Sequence, residues 1–207
     1  MKLFEIKRGY YWGVYIAEQH VLLKLSLYRM ICVNANVVSS DHDGITVVPI
    51  DERFINRIKN TPYRVKEFYK SSPECFYGCA ALSDDNSIAG YVCGKKITML
   101  EAKRSERKIF DGEDYFYIKY VYVDPKCRGK KLSALLINKL AQEIRLPLML
   151  NCRTNNFAAL KVYRSIGFKS VSVFEQVYCP IIHKGIIYRD EKVDDDCSSD
   201  DPVSLQH

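Results

Sequence analysis

Residues 115–123 read YFYIKYVYV, eight strand-favouring residues interrupted only by Lys119, and the run stops at Asp124-Pro125. Aromatic and β-branched residues at this density fit a pleated, half-buried surface, and the proline cannot donate to a ladder. Directly behind it, DPKCRGKKLSALLINKL (124–140) turns into a helix with apolar residues recurring at Leu132, Leu135, Leu136 and Leu140. A second short buried strand, LPLMLNC (146–152), follows. Strand, helix and strand at this spacing belong to a layered α/β arrangement.

The flanking segments extend the pattern. ITVVPI (45–50) reads as a strand, and Asp51 can cap the helix whose apolar face is Phe54, Ile55 and Ile58. Thr61-Pro62 looks like a second helix start, with Val65, Phe68 and Tyr69 behind it. CFYGCAAL and SIAGYVCGKKITM, joined by SDDN, read as an antiparallel hairpin. Residues 101–114 form a charged loop, in which Glu113 and Asp114 are possible bases. A helix runs from Asn156 to about Ile166 and stops at Gly167. VSVFEQVY and GIIYR close the series as strands. The order predicts an α/β (α+β) fold with a mixed central sheet of about six to seven strands and helices on both faces. Residues 14–33 carry both a strand alternation and a helical spacing, which the sequence does not decide between. Three units are expected: an N-terminal extension over 1–44, a catalytic or binding domain over 45–189, and an acidic disordered tail over 190–207.

The tail holds seven acidic residues and one Lys, so residues 1–189 carry 30 basic and 18 acidic residues, a net +12 against +6 for the whole chain. A basic body favours anionic ligands. The mixed-sign run at 95–108 lacks the aromatics of an RNA-binding strand, so no nucleic acid is expected. Eight cysteines without a C-x-x-C, and four His away from zinc-ligand spacing, predict free thiols and no metal. No secretory leader or membrane span is legible, and a reducing, cytoplasmic setting is expected. Oligomeric state is not legible.

A strand ending in a basic loop at a helix start is a phosphate-binding arrangement, because the first-turn amides lack partners and the helix dipole is positive there. It matches neither a Walker A loop nor a dinucleotide fingerprint. It resembles the GNAT superfamily of acetyl-CoA-dependent N-acetyltransferases, whose motif is V-x-P-x-x-[QR]-x-x-G-x-[GA]. Val123, Pro125 and Arg128 match, whereas Lys131 stands at the usual Gly and Ser133 at the usual Gly or Ala. The later helix matches N-x-x-A-x-x-x-Y-x-x-x-G-F through Asn156, Ala159, Tyr163, Gly167 and Phe168. A solvated helix start and an ordinary amphipathic helix would explain either motif alone. The resemblance covers residues 45–189.

The resemblance implies acetyl-CoA as co-substrate. Its pyrophosphate would sit on Arg128, Gly129, Lys130, Lys131, Leu132 and Ser133, its pantetheine on the backbone of Tyr122 and Val123, and Asn156 would contact it. Tyr163 would protonate the leaving thiolate. Weaker similarity to protein N-terminal acetyltransferases marks Tyr117 as a residue organising deprotonation. Asn151 stands where those enzymes carry a His, and cannot itself be a base. Tyr115, Tyr117, Tyr120 and Tyr122 could equally be packing aromatics on both faces of the strand. An α-amine of pKa about 8 is roughly 10% neutral at pH 7 and a Lys amine about 0.04%, so Lys needs about 3 kcal/mol more help with deprotonation. A site without a clear base therefore suits a protein or peptide N-terminus. A small amine such as a polyamine or aminoglycoside, and a non-catalytic CoA- or peptide-binding module, are the alternatives.

Overall fold

The computed structural model describes residues 13–17, 20–35, 44–57, 65–71, 73–102, 110–179 and 184–193. Its strands are β1 (Gly13–Ala17), β2 (His20–Cys32), β3 (Ile45–Pro49), β4 (Phe76–Ser83), β5 (Ile88–Ile97), β6 (Tyr115–Val123), β7 (Leu148–Arg153), β8 (Lys169–Cys179) and β9 (Lys184–Lys192). Its helices are α1 (Glu52–Arg57), α2 (Val65–Ser71), α3 (Leu132–Ile144) and α4 (Phe157–Ile166). From β3 onward the element order is the one the sequence predicts.

Local signals act where expected. The Asp51 carboxylate accepts from the Phe54 amide at 2.7 Å and caps α1. Asn86, with φ +60°, turns the β4–β5 hairpin. Gly167, with φ +107°, ends α4, and the Phe168 amide closes back onto the Tyr163 carbonyl at 3.0 Å. The Thr61-Pro62 helix start, residues 103–109 of the charged loop and the tail beyond Val193 lie outside the described residues. β9 reaches Lys192, three residues past the expected domain end at 189.

All nine strands join one mixed sheet, in the order β3-β4-β5-β6-β7-β2-β8-β9, with β1 paired to β2. Every pairing is antiparallel except β6 with β7. The expected count of six to seven is therefore too low: the seven strands from residue 45 onward are joined by β1 and β2 from the first 44 residues. β2 lies between β7 and β8, with Arg29 opposite both Asn151 and Ser172. Its ambiguous pattern follows from that position. A strand paired on both edges and covered on both faces shows an apolar run rather than a clean alternation, and here Met30 and Cys32 pack on one face while Ile31 packs on the other.

Helices cover both faces. Leu136, Ile137 and Leu140 of α3 and Ile166 of α4 are fully buried against Val92, Phe116 and Leu148. Each such side chain stabilises the fold by about 1.5–3 kcal/mol. On the opposite face Phe54, Ile55 and Val65 of α1 and α2 pack on Tyr91 and Cys93.

One irregularity organises the middle of the sheet. Cys93 pairs with Tyr120 but Gly94 pairs with Ile118, so Lys119 is an extra residue in β6. The bulge shifts the alternation by one. Tyr115 and Tyr117 pack with Met149 and Ile97, and Tyr120 and Tyr122 pack with the α1–α2 layer, all on one face of the sheet. The expectation of tyrosines on both faces is corrected by that single inserted residue. Gly94 permits the close approach, since a Cβ there would lie 2.1 Å from the Tyr117 carbonyl oxygen.

Candidate functional site

β6 and β7 pair only from Phe116–Leu148 to Ile118–Leu150. Beyond Ile118 the bulge bends β6 away, and β7 continues to Arg153 paired with β2 alone. Two parallel strands thus diverge, and their facing edges carry backbone groups without a ladder partner in each other. Val123 presents its backbone to the freed edge of β6, whereas the Tyr122 carbonyl faces β5.

At the end of that edge the chain turns tightly. Asp124 accepts from the Lys126 amide at 2.9 Å and starts a 3₁₀ turn over Pro125–Cys127. Arg128 folds back, its Nε donating to the Val123 carbonyl at 3.3 Å. Gly129 adopts φ +80°, and a Cβ there would meet nothing within 4 Å, so open space faces this backbone. Lys131 precedes α3 in the left-handed region at φ +57°, and its side chain makes no capping bond. The first-turn amides of α3 therefore keep their anion-binding capacity. Arg128, Lys130 and Lys131 are exposed around them. These features fit a pyrophosphate held by backbone and by basic side chains. The departure from the family pattern at Lys131 appears here as backbone strain rather than as crowding, because a Gly would adopt that φ freely. Leu132 is buried in the core, so it can offer a ligand its amide but not its side chain.

The opposite wall comes from β7. Asn151 Nδ2 donates to the Tyr117 hydroxyl at 3.1 Å, and Asn151 Oδ1 is buried without a hydrogen-bond partner. The Lys119 ammonium lies 5.7 Å from the centre of the Tyr117 ring. Arg29 of β2 stands opposite Asn151 and is 3% exposed, its guanidinium donating to Ser172 Oγ at 3.0 Å and lying 5.1 Å from the Phe174 ring centre. The structure thus brings Tyr117 and Asn151 together and adds Arg29, which the sequence reading does not single out. Its one signal is a charge inside an otherwise apolar run.

The helix motif has structural work of its own. Asn156 Oδ1 accepts from the Ala159 amide at 3.3 Å and caps α4. Tyr163 is half-buried, its ring 5.9 Å from that of Phe168. Tyr122 stacks on Tyr91 at 5.2 Å, and burial first, then the Asp124 carboxylate, holds its hydroxyl above the ordinary phenol range. It stays neutral near pH 7. Asp114 bonds the Lys96 ammonium at 2.7 Å and accepts from the Met99 amide at 2.9 Å, which lowers its pKa. A carboxylate so held is a poor general base. Cys32, Cys75, Cys79, Cys93, Cys127 and Cys152 are free thiols. Among the described residues no group of three or more potential metal ligands comes together, and no helix is long and apolar enough to cross a membrane.

Residues 49–168 match the acetyltransferase (GNAT) family. No curated protein matches by sequence. By structure, the fold is similar to a GCN5-related N-acetyltransferase from Sphaerobacter thermophilus, with a TM-score of 0.54 at 13% identity over 78% of this chain and 53% of that one. It is similar to Arabidopsis thaliana NAA60 solved with a bisubstrate analogue, with a TM-score of 0.50 at 19% identity over 65% of this chain and 97% of that one. A Drosophila protein gives 0.54 at 9% identity over 75% and 51%. This chain therefore spans about half the length of the Sphaerobacter and Drosophila proteins. Identities this low establish a shared fold.

Proposed function

The chain belongs to the GNAT acetyltransferase family, and from that premise we propose that it acetylates a primary amine with acetyl-CoA, the acceptor being a protein or peptide N-terminus. The observation that carries this reading is one juxtaposition: the gap between β6 and β7 opens beside the uncapped, basic start of α3. The catalytic unit takes in β2 as well as residues 45–189, because Arg29 backs Asn151.

Acetyl-CoA supplies a thioester carbonyl and a thiolate leaving group. The amides from 129 to 133, with Arg128, Lys130 and Lys131, bind its pyrophosphate. The free edge at Val123 orients its pantetheine arm. Asn156 keeps its Nδ2 hydrogens for a further contact while its Oδ1 caps α4. Tyr163 donates a proton to the leaving sulfur. Tyr117, positioned by Asn151, orders the acceptor's proton loss on the other side of the gap. With Asn151 unable to take a proton and Asp114 held in its ion pair, an α-amine suits this site better than a Lys amine, which needs about 3 kcal/mol more for deprotonation. The same lack of an evident base favours, as a second reading, a module that binds without turnover.

Acetyl-CoA should raise the melting temperature of the full chain, as a ligand selective for the native state must, and Arg128→Glu should abolish the rise. Mass spectrometry on a mixture of peptides with free N-termini and of polyamines then reads the acceptor. No thermal shift at millimolar acetyl-CoA would overturn the cofactor assignment. Acetylated polyamines beside untouched peptides would overturn the acceptor.

A further inference from the structure

The two strands that part at the gap carry cations and no carboxylate. β6 (YFYIKYVYV) holds Lys119, β7 (LMLNCR) holds Arg153, and neither holds Asp or Glu. β2, which pairs with β7, adds Lys24 and Arg29 and again no acid. Asp114, just before β6, is bonded to the Lys96 ammonium at 2.7 Å. Asp124, just after β6, accepts from the Lys126 amide at 2.9 Å.

Two of the cations are placed to meet an acceptor. Lys119 is the bulged residue, is exposed, and has its ammonium 5.7 Å from the centre of the Tyr117 ring. Arg153 is exposed two residues beyond Asn151, about 7 Å along β7. Strand alternation puts it on the face of Asn151, and the register agrees, with Asn151 opposite Arg29 and Arg153 opposite Leu27. Asn151 donates to the Tyr117 hydroxyl. Each strand thus contributes one exposed cation beside the Tyr117–Asn151 pair. Lys119 also stands four residues, about 13 Å, before the end of β6 where the basic loop begins, which sets it apart from the pyrophosphate site.

We propose that the acceptor is acidic: a peptide N-terminus with Asp or Glu among its first two residues, recognised by Lys119 and Arg153. This rests on reading the gap as the acceptor side of an acetyltransferase. Arg pairs with a carboxylate through two parallel N–H bonds, and Lys meets it as a point charge. Two residues of extended peptide span about 7 Å, the same step that separates Asn151 from Arg153. The recognised carboxylates therefore belong close to the amine. The same cations disfavour the charged form of an amine set beside them and so lower its pKa, which helps a site without an evident base. A second ammonium on the acceptor is repelled, so a polyamine or a Lys-rich N-terminus is disfavoured by like charge.

The test uses the full chain and three peptides of one common body that begin with two Asp, two Ser or two Lys. Binding is read by fluorescence anisotropy, with a dye at the peptide's C-terminus and CoA present. Turnover is read by mass spectrometry at saturating acetyl-CoA. The Asp peptide should bind and turn over about tenfold better than the Ser peptide, as two exposed ion pairs allow, with the Lys peptide the poorest of the three. The preference should shrink as salt is raised. Lys119→Gln combined with Arg153→Gln should bring the Asp-to-Ser ratio close to one, with the acetyl-CoA Kd within about twofold of the wild type. Lys161→Gln, on the exposed side of α4, should keep the ratio. Equal Kd and equal kcat/KM for the three peptides overturn the inference and leave acetyl transfer standing. Binding preference without transfer to any peptide supports the acidic ligand and overturns the acetyltransferase reading instead. A preference that survives the double variant, or that Lys161→Gln abolishes equally, overturns the assignment to these two residues. Loss of acetyl-CoA affinity in the double variant overturns it as well, by giving the cations to the cofactor.

Discussion

Asn151 on β7, one residue past the last backbone pair Ile118–Leu150, donates back to the Tyr117 hydroxyl on β6 at 3.1 Å. This side-chain bond crosses the gap at its apex, where the ladder stops. On the proposed function, this phenol would order the acceptor amine's proton loss. Tyr117→Phe keeps the ring and deletes the hydroxyl. The expected result is a fall in kcat of about 10²-fold with an unchanged acetyl-CoA Kd. Asn151→Leu, which releases the hydroxyl without removing it, should cost less. Unchanged kcat in Tyr117→Phe would leave this residue as a packing aromatic.

Tyr163 has a measurable bland alternative, because its ring already packs on Phe168. As the proton donor to the leaving sulfur, it should lose at least about tenfold in kcat on Tyr163→Phe, with an unchanged melting temperature. Tyr163→Ala should also cost about 2 kcal/mol of stability, less than a fully buried aromatic would. Paired kinetics and denaturant unfolding of the two variants separate the roles.

Lys131 holds a left-handed backbone that a side chain disfavours by about 1–2 kcal/mol, at φ +57°. Lys131→Gly should therefore stabilise the protein by about 1 kcal/mol, in spite of glycine's larger unfolded-state entropy. It should also weaken acetyl-CoA binding a few-fold and flatten its salt dependence, because an ammonium leaves the phosphate site. A tighter Kd would mean that the side chain obstructs the pyrophosphate.

Cys127 offers a chemical footprint of the loop. Burial pushes the Cys79 thiol up to about 12 and the Cys152 thiol up to about 11, so both remain protonated at pH 8. Cys127 and Cys75 are only half-buried. Iodoacetamide at pH 8 should modify these two before the buried thiols, and saturating acetyl-CoA should protect Cys127 while leaving Cys75 reactive. Peptide mapping by mass spectrometry checks it. Equal protection at both sites would place the ligand elsewhere.

The Lys96–Asp114 ion pair sets a pH dependence of stability. The hydrogen bond from Lys96 comes first among the causes that lower the Asp114 pKa below its unfolded value. The stabilisation is therefore present above the unfolded pKa of about 3.9 and is lost as pH falls through the lower folded value. Asp114→Asn should melt below the wild type at pH 7, with the gap narrowing as pH drops toward 3. A gap that persists there would assign the effect to the Met99 amide contact.

Much of this protein is written in neighbours along the chain. Asp51, Asn86, Asp124-Pro125, Asn156 and Gly167 act within a few residues of themselves, through caps and turns that short-range hydrogen bonds dictate. The apolar period of α3 and the run of β6 are likewise local, which is why the order from β3 to β9 and the basic helix start can be read directly. What tertiary structure decided depends on partners far away in sequence. β2 becomes a strand because β7 and β8 take its two edges, and Arg29 meets Asn151 across more than a hundred residues. Lys119 becomes a bulge only when β5 fixes the register on both sides of it, and that one residue gathers the tyrosines on one face and parts β6 from β7. Asn138 reads as an ordinary polar position in a helix until Cys32 and Leu148 close around it. Backbone hydrogen bonding and apolar spacing are local physics and are legible residue by residue; pairing, register and the burial of a polar group are properties of surfaces that meet only when the chain has folded.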